Sequence, residues 1–250
     1  MSTAVIIPAR LGSQRLPGKP LKVLGQVPLI IHVFRQVSQC VGVDTVVIAT
    51  DSEEVASAAK AHGATALMTS ESHPNGTDRV AEAARKLDAK WVINVQGDEP
   101  FIDPNDVQTV IDATIESATD LVTLRYPIKT SDELEDPNIV KVVTREDGQA
   151  LYFSRSPIPF NRDGDFQPNT HYRHIGIYGY RNDVLQSLTQ LPVHPIEELE
   201  QLEQLRAMAH GMTIGVFDAQ TLSRGIDTPE DLAWARQQIT QSDKAAFPSG

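Results

Sequence analysis

Three cations lie in one short loop near the amino terminus, within the stretch VIIPARLGSQRLPGKPL (residues 5–21). Residues 5–7 are β-branched and predict a buried strand that ends at Pro8. Arg10, Arg15 and Lys19 follow it. Glycines in the loop free the backbone and prolines stiffen it: Gly12, Gly18, Pro17 and Pro20. Fixed cations on such a loop favour a polyphosphate ligand.

The loop departs from two better-known phosphate motifs. Five residues separate Gly12 from Gly18, where a Walker A loop has four, and Pro20 stands where that loop has a metal-binding Ser or Thr. The pattern G-x-G-x-x-G is also absent, which disfavours a nicotinamide enzyme. A surface loop with merely solvated charges is the alternative reading.

Two carboxylates follow other predicted strands. Asp98 comes after an apolar strand in WVINVQGDEPFI (residues 91–102), and Asp227 lies between a strand and a helix start. Ligand sites of parallel α/β sheets lie beyond the carboxyl ends of the strands, so the loop and both acids are expected to meet there. Mg²⁺ is satisfied by one or two carboxylates plus phosphate oxygens, which makes these acids candidate metal ligands. A turn role for Asp98 and a capping role for Asp227 are the alternatives.

The charge distribution supports a small anionic ligand. The net charge is −11, which argues against a general nucleic-acid binder. Before Asp44 there is no acid at all, while that segment carries five Lys and Arg residues. A positive end on an acidic protein attracts a small anion.

Cysteine content and hydropathy bound the cellular setting. The single cysteine, Cys40, excludes an intrachain disulfide and is interpreted as a packed thiol on a helix face. The apolar runs are far shorter than the roughly 18 residues that span a bilayer, so no membrane insertion is expected. With no secretory leader pattern either, the protein is predicted to be cytoplasmic.

Strand and helix patterns alternate along most of the chain and predict an α/β fold, a mostly parallel central sheet flanked by helices. Helices are expected at residues 28–40, 53–61 and 104–118, with residues 51–54 supplying the cap and first-turn acids of the second, and one helix is expected to be capped near Thr77. A further helix, within residues 225–239, is expected to begin at Pro229, with Thr228 as its cap and Asp231 three residues on. Another is expected at residues 196–210, with Ile196, Leu199, Leu202 and Leu205 facing inward.

One segment breaks this alternation. Residues 139–144 and 150–160 predict a hairpin, followed by the strand HIGIYGY (residues 174–180), so a smaller antiparallel excursion is expected at about residues 145–212. Residues 1–241 are treated as one domain that contains it, and residues 242–250 as a disordered tail.

These motifs together resemble a known family. VIIPARLGSQRLPGKPL, ATDSEEV, NGTDR, NVQGDEPFI, ALYFSRSPIP, HIGIYGYR, LEQLR and GIDTPEDL occur in the order typical of the 3-deoxy-manno-octulosonate cytidylyltransferases, over residues 5–236. The first motif is shared with other sugar-activating nucleotidyltransferases, whereas the later ones are specific to this family.

The resemblance implies a Rossmann-like nucleotidyltransferase fold, a Mg²⁺ cofactor and a homodimer. It also implies the reaction of CTP with the acidic sugar 3-deoxy-manno-octulosonate (Kdo) to give CMP-Kdo and pyrophosphate, for lipopolysaccharide synthesis. The anomeric hydroxyl would attack the α-phosphorus in line, with catalysis by positioning and charge neutralisation.

The resemblance also assigns roles to residues of this chain. Arg15, Lys19 and Asp98 would be catalytic, and Asp98 and Asp227 would bind Mg²⁺. The nucleotide would contact Pro8, Ala9, Arg10, Lys19, Thr77 and Arg79. The sugar would contact Arg15, Gln96, Arg155, His174, Tyr178, Glu203 and Gln204.

Some alternatives stay open. Leu11 stands where an aromatic residue is common and Gln14 where Ser or Thr is common, which leaves Kdo and its 8-amino analogue undistinguished. Whether Glu200 or Glu203 faces the sugar is also open. A cytidylyltransferase for a sialic acid is a rival that GTDR, HIGIYGYR and GIDTPEDL speak against. A non-catalytic nucleotide-binding module is a rival of another class, which the two metal carboxylates disfavour.

Overall fold

The computed structural model describes residues 2–13, 15–164 and 166–246, without the side chains of residues 240–246. Two compact units divide the chain. The amino-terminal unit consists of Ala4–Asp88, Asn94–Pro104 and Ser223–Gly250. The central unit consists of Met1–Thr3, Ala89–Ile93 and Asn105–Leu222.

The elements follow in chain order. The strands are β1 (Thr3–Ala9), β2 (Val23–Leu24), β3 (Val27–Pro28), β4 (Thr45–Thr50), β5 (Ala66–Met68), β6 (Trp91–Asn94), β7 (Leu121–Pro127), β8 (Lys141–Thr144), β9 (Ala150–Ser154), β10 (Tyr172–Arg181) and β11 (Ile214–Asp218). The helices are α1 (Leu29–Val37), α2 (Glu53–Ala61), α3 (Gly76–Arg85), α4 (Pro104–Glu116), α5 (Ser131–Glu135), α6 (Asn182–Leu188), α7 (Pro195–Glu200), α8 (Gln204–Ala209) and α9 (Pro229–Ala246).

The amino-terminal unit contains the predicted parallel strands. β4 pairs with β1 on one side and with β5 on the other, both in parallel, and α1, α2 and α3 pack against β4. Ile6, Ile7, Ile30 and Ile31 are fully buried, and burying each such side chain contributes about 1.5–3 kcal/mol before entropy is counted. The packed strands thus present their carboxyl ends on a rigid base.

The central unit combines parallel and antiparallel pairing. The strand order is β11-β7-β10-β6, with β11 parallel and β10 antiparallel to β7. β8 pairs antiparallel with both β9 and β10, so the predicted hairpin is confirmed. The excursion expected at about residues 145–212 falls within this unit. The single domain expected for residues 1–241 stays a prediction.

The first strand does not stop at Pro8, which corrects the expected boundary. β1 continues to Ala9, with Pro8 opposite Ala49 and Ala9 opposite Thr50. The fixed φ of proline suits extended backbone, and its missing N–H removes only one ladder bond at the strand end. The cationic loop therefore begins at Arg10.

The helix expected at residues 196–210 is two helices, α7 and α8. Gln201 ends α7 in the left-handed region, with φ 53° and ψ 49°. The break changes the inward face: Leu199 is 83% exposed, while Glu197 is buried and forms an ion pair with Arg206, with 2.6 Å between Oε1 and Nη2. The prediction that Leu199 faces inward was wrong, because helical spacing does not continue through a left-handed residue.

Helix starts were predicted with mixed success. Ser52 caps α2 as expected, whereas Asn75, not Thr77, caps α3, its side-chain oxygen accepting the N–H of Asp78 at 2.8 Å. Residues 242–246, expected in a disordered tail, continue α9. Residues 247–250 lie outside the described residues.

Candidate active site

Lys19 joins the two predicted metal carboxylates within the amino-terminal unit. Its Nζ lies 2.6 Å from Asp98 Oδ2 and 2.8 Å from Asp227 Oδ1. Arg15 Nη2 lies 2.9 Å from the other oxygen of Asp227, Oδ2. The structure therefore brings together the cationic loop and both acids, as their positions after strands predicted.

The loop closes on itself before it reaches the carboxylates. The N–H of Gly18 donates to the carbonyl of Leu11 at 3.2 Å, and the N–H of Lys19 donates to that of Leu16 at 3.1 Å. Gly18 has φ 68°, a conformation in which a side chain would be strained. Lys19 then opens a 3₁₀ turn in which Pro20 is buried. These contacts fix the backbone from which the Lys19 side chain extends.

Asp227 is held by the start of α9. The N–H groups of Asp227 and Thr228 donate to Asp231 Oδ2 at 3.2 and 3.0 Å, and the Asp231 N–H donates back to Thr228 Oγ1 at 3.1 Å. This is the reciprocal capping predicted from Thr228 and Asp231. One residue earlier, the N–H of Ile226 donates to the carbonyl of Asp98 at 2.9 Å. The backbone segments carrying the two acids are thus bonded to each other.

Gly97 lets the segment before Asp98 approach the end of β1. A Cβ on Gly97 would lie 2.5 Å from the carbonyl oxygen of Pro8 and 3.1 Å from Ile30 Cδ1. A Cβ on Gly76, at the start of α3, would lie 3.5 Å from Pro8 Cγ. The sequence analysis assigned no role to Gly97, although a glycine between a strand and a candidate metal ligand can indicate a close approach of two backbone segments.

The electrostatics of Lys19 are set by its surroundings. Burial of the ammonium acts to lower its pKa, but Asp98 and Asp227 outweigh this and hold the pKa above its ordinary value of 10.5. Lys19 is therefore protonated at neutral pH, and its side chain is 14% exposed.

The donor set at this position fits Mg²⁺. Asp98 and Asp227 both direct a carboxylate oxygen at one cationic atom, Lys19 Nζ. Within residues 2–13, 15–164 and 166–246 there is no group of three or more His, Cys, Asp or Glu side chains suited to a metal. Two carboxylates are the complement that Mg²⁺ uses when phosphates supply further oxygens.

The predicted nucleotide contacts differ in exposure. Ala9 is buried, Arg10 is exposed, and Thr77 lies half-buried in the first turn of α3. Gln96, predicted to contact the sugar, is half-buried two residues before Asp98. Gln14 lies outside the described residues, so the effect expected of it stays a prediction.

Arg79 is committed to a buried ion pair. Its guanidinium donates to Asp51 Oδ2 at 2.6 Å and to Thr69 Oγ1 at 2.5 Å, and the residue is 3% exposed. Asp51 and Thr69 follow β4 and β5, so Arg79 ties α3 to the ends of both strands. Its predicted contact with the nucleotide stays a prediction.

His174 and Tyr178 lie on β10 in the central unit, on either side of an irregularity in its pairing with β7. Thr123 Oγ1 is 2.8 Å from the carbonyl of Ile177 and 2.9 Å from His174 Nε2. Because the hydroxyl has one proton and the carbonyl can only accept it, we infer that His174 Nε2 carries a hydrogen and donates to Thr123.

Both aromatic groups are uncharged at neutral pH. Burial lowers the pKa of His174 to about 3. Burial is the main cause that raises the pKa of Tyr178 well above its ordinary value, and the neighbouring Tyr180 and Glu203 raise it further. The His174 ring lies 5.1 Å from that of Phe153 and 5.4 Å from that of Tyr178. These side chains offer neutral hydrogen-bonding groups on an apolar support.

Glu200 is bound by its neighbours. Ser154 Oγ donates to its Oε1 at 2.6 Å, and the Arg155 N–H donates to its Oε2 at 2.8 Å. The Arg155 guanidinium donates through Nε to the carbonyl of Glu200 at 2.7 Å. Arg155 thus caps the end of α7, a contact that the sequence did not indicate.

Glu203 and Gln204 follow the break between α7 and α8. Glu203 is exposed, whereas Gln204 is 7% exposed. Among the described residues no acceptor bonds Gln204 Nε2, which is a buried donor. Of the two acids left open by the sequence, Glu203 is the more exposed to solvent.

Comparison with known proteins finds cytidylyltransferases both among family models and among individual relatives. A family model described as cytidylyltransferase matches residues 4–214. A 3-deoxy-manno-octulosonate cytidylyltransferase of Polynucleobacter necessarius subsp. necessarius (strain STIR1) is 47% identical over 244 residues, which cover 95% of this chain and 96% of the relative. One of Anaeromyxobacter sp. (strain Fw109-5) is 48% identical over 235 residues, covering 93% and 95%.

Solved structures agree. A CMP:2-keto-3-deoxy-manno-octonic acid synthetase complexed with CTP is 42% identical, with a TM-score of 0.92 over 97% of this chain and 100% of that chain. A Bacillus anthracis structure described as a glucose-1-phosphate thymidylyltransferase, 16% identical with a TM-score of 0.67 over 95% of each chain, shows the shared α/β fold alone. Within the described residues, no helix combines the length and apolarity needed to cross a membrane.

Proposed function

The chain belongs to the 3-deoxy-manno-octulosonate cytidylyltransferase family, and we propose that it transfers CMP from CTP to Kdo with release of pyrophosphate, for lipopolysaccharide synthesis. One observation in this chain supports the proposal most strongly. Lys19 bridges Asp98 and Asp227, with Arg15 on the second acid, so the cations lie against the two carboxylates proposed to hold the metal.

The cationic loop binds the triphosphate in this proposal. Arg10, Arg15 and Lys19 contact phosphate oxygens, and Pro8, Ala9, Thr77 and Arg79 complete the nucleotide contacts. Arg79 acts at least in part through its ion pair, which holds the start of α3 against the ends of β4 and β5. Support comes from the backbone hydrogen bond between Gly18 and Leu11, which joins the two ends of the segment that carries Arg15 and favours a preorganised cation.

Asp98 and Asp227 would hold Mg²⁺ in the loaded enzyme. Bound there with the triphosphate, Mg²⁺ supplies positive charge against the phosphate oxygens. The chain's own part is to aim both carboxylates from backbone segments joined through Ile226 and Asp98, and to fix Asp227 through the cap of α9.

Transfer requires no covalent intermediate with the protein. The anomeric hydroxyl of Kdo attacks the α-phosphorus and loses its proton to water, the bond to the β-phosphate oxygen breaks, and pyrophosphate leaves. Arg15 and Lys19 stabilise the charge on the leaving pyrophosphate and on the equatorial oxygens, the preorganised electrostatic contribution that is large in such reactions. The chemistry therefore consists of positioning and charge stabilisation.

The sugar contacts are proposed for Arg15, Gln96, Arg155, His174, Tyr178, Glu203 and Gln204. Neutral His174 and Tyr178 can hydrogen-bond sugar hydroxyls without adding charge, and Gln204 brings a buried donor without a described partner. Arg155 uses Nε, Nη1 and Nη2 on backbone carbonyls, yet each Nη has a second hydrogen for a carboxylate such as that of Kdo.

A pyrophosphate-release assay with Mg²⁺ tests the proposal. CTP, UTP and ATP are each combined with Kdo, 8-amino-Kdo and sialic acid. We expect release with CTP and Kdo and none with sialic acid. Preference for 8-amino-Kdo would move the assignment to that analogue, whereas nucleotide binding without release in any combination would identify a non-catalytic module.

Two further proposals concern the protein as a whole. We propose that it is a homodimer and that it acts in the cytoplasm. Size-exclusion chromatography with light scattering tests the first, a monomer at working concentration being the contrary result. Fractionation of cells that express the full chain tests the second, with recovery outside the cytoplasm as the contrary result.

A further inference from the structure

We propose that, in the nucleotide-free protein, Lys19 occupies the position of the divalent cation between Asp98 and Asp227, so that the metal binds together with CTP and not before it. The inference rests on the proposed function, because CTP is the ligand that would draw Lys19 away. It assigns Lys19 a second role, as the cation that pairs with both acids before the nucleotide binds.

The geometry of the ion pairs carries the proposal. A single nitrogen, Lys19 Nζ, is 2.6 Å from one carboxylate and 2.8 Å from the other. It therefore satisfies an oxygen of each acid that a metal would use. Arg15 engages the remaining bonded oxygen of Asp227, Oδ2, at 2.9 Å.

The ion-paired side chains of this cluster carry equal numbers of positive and negative charges. Two cations, Lys19 and Arg15, face two anions, Asp98 and Asp227. A divalent ion entering at the carboxylates would meet the Lys19 ammonium at close range, and like charges repel strongly where burial limits screening. Metal entry therefore requires that Lys19 leave.

A triphosphate provides both the attraction for Lys19 and the missing metal ligands. Mg²⁺ demands near-octahedral oxygen coordination and gives up water reluctantly, so two carboxylates alone hold it weakly. Phosphate oxygens add ligands, and their charge attracts the ammonium. The described residues contain no third His, Cys, Asp or Glu side chain grouped with these acids for a metal.

Metal binding by the Lys19→Met variant tests the exchange. Mn²⁺ is titrated into the full-length protein without nucleotide, and free Mn²⁺ is followed by electron paramagnetic resonance. We expect Lys19→Met to bind Mn²⁺ about tenfold or more tightly than wild type, because an opposing charge in direct contact has been removed. Lys60→Met removes a charge from an exposed position on α2 and should leave Mn²⁺ affinity unchanged.

A second variant locates the metal. Adding Asp98→Asn to Lys19→Met should abolish the gained affinity. Equal Mn²⁺ affinity for wild type and Lys19→Met, or a gain that survives Asp98→Asn, would overturn the proposal. Wild-type pyrophosphate release from CTP and Kdo is measured in parallel: if it is present, only the exchange has failed, and if it is absent, the proposed function has failed.

Discussion

Gly97 and Pro8 lie so close that a Cβ on Gly97 would be 2.5 Å from the Pro8 carbonyl oxygen. The obstructing atom belongs to the backbone of β1, so it cannot turn aside as the end of a flexible side chain would. The residue next to Asp98 is thus constrained by the strand from which the cationic loop begins.

Gly97→Ala should therefore destabilise the protein by about 1–3 kcal/mol through overpacking. The measurement is the free energy of unfolding in urea. Gly12→Ala is the matched control, because a Cβ there meets nothing within 4 Å. Equal stability of the two variants would show that the β1 backbone yields easily at Pro8.

Asp98→Asn and Asp227→Asn should each reduce pyrophosphate release about 100-fold or more, since each removes a carboxylate that is proposed to hold Mg²⁺ beside the reacting phosphates. Both side chains are partly exposed, at 28% and 39%, so melting temperatures should change little. Glu230→Gln, at an exposed position in the first turn of α9, is the matched control and should stay active. Undiminished release in both aspartate variants would defeat the metal assignment.

Glu200→Ala should mainly lower stability, whereas Glu203→Ala should mainly raise KM for Kdo. Loss of the Glu200 carboxylate leaves the Ser154 hydroxyl and the Arg155 N–H without their acceptor, which should cost about 1–3 kcal/mol of stability. Glu203→Ala, at an exposed position, should cost less stability than Glu200→Ala and should raise KM for Kdo. Urea unfolding and steady-state kinetics on both variants check this, and the reverse pattern would exchange the two roles.

His174 should make stability depend on pH. Its pKa of about 3 in the folded protein lies below the value of about 6.5 expected when unfolded, so between these values only the unfolded state takes up a proton. Stability contributed by neutral His174 is therefore present above pH 6.5 and falls, by up to about 1.4 kcal/mol per pH unit, as the pH drops from 6.5 towards 3.

The measurement is urea unfolding at pH 7.5 and pH 5 for wild type and His174→Gln. Gln retains a donor for Thr123 but does not titrate, so the variant should lose less stability between the two pH values than wild type. Equal losses would mean that His174 is protonated in the folded state as readily as in the unfolded state.

The positions of Lys19, Asp98 and Asp227 were predictable because they depend on local patterns. An apolar run predicts a strand, and in a parallel sheet the residues after strands gather at one edge. The cap of α9 was equally local, since Thr228 and Asp231 are close in sequence.

Ion pairs and hydrogen bonds between segments distant in sequence could not be predicted from local patterns. Arg79 with Asp51, and Ser154 with Glu200, depend on how separately formed elements pack, which periodicity does not encode. Leu199 is exposed against expectation because one left-handed residue, Gln201, ends the helix, and Glu197 is buried instead with Arg206 neutralising its charge. A single backbone angle thus outweighed the hydrophobic pattern.

The cap of α9 has a consequence for biosynthesis. Lys19 precedes Asp227 by 208 residues, and Asp231, which fixes Asp227, follows later still. A growing chain therefore carries the basic loop well before the second carboxylate has been synthesised. Any product that terminates before Asp227 leaves Lys19 with Asp98 but without its second acidic partner.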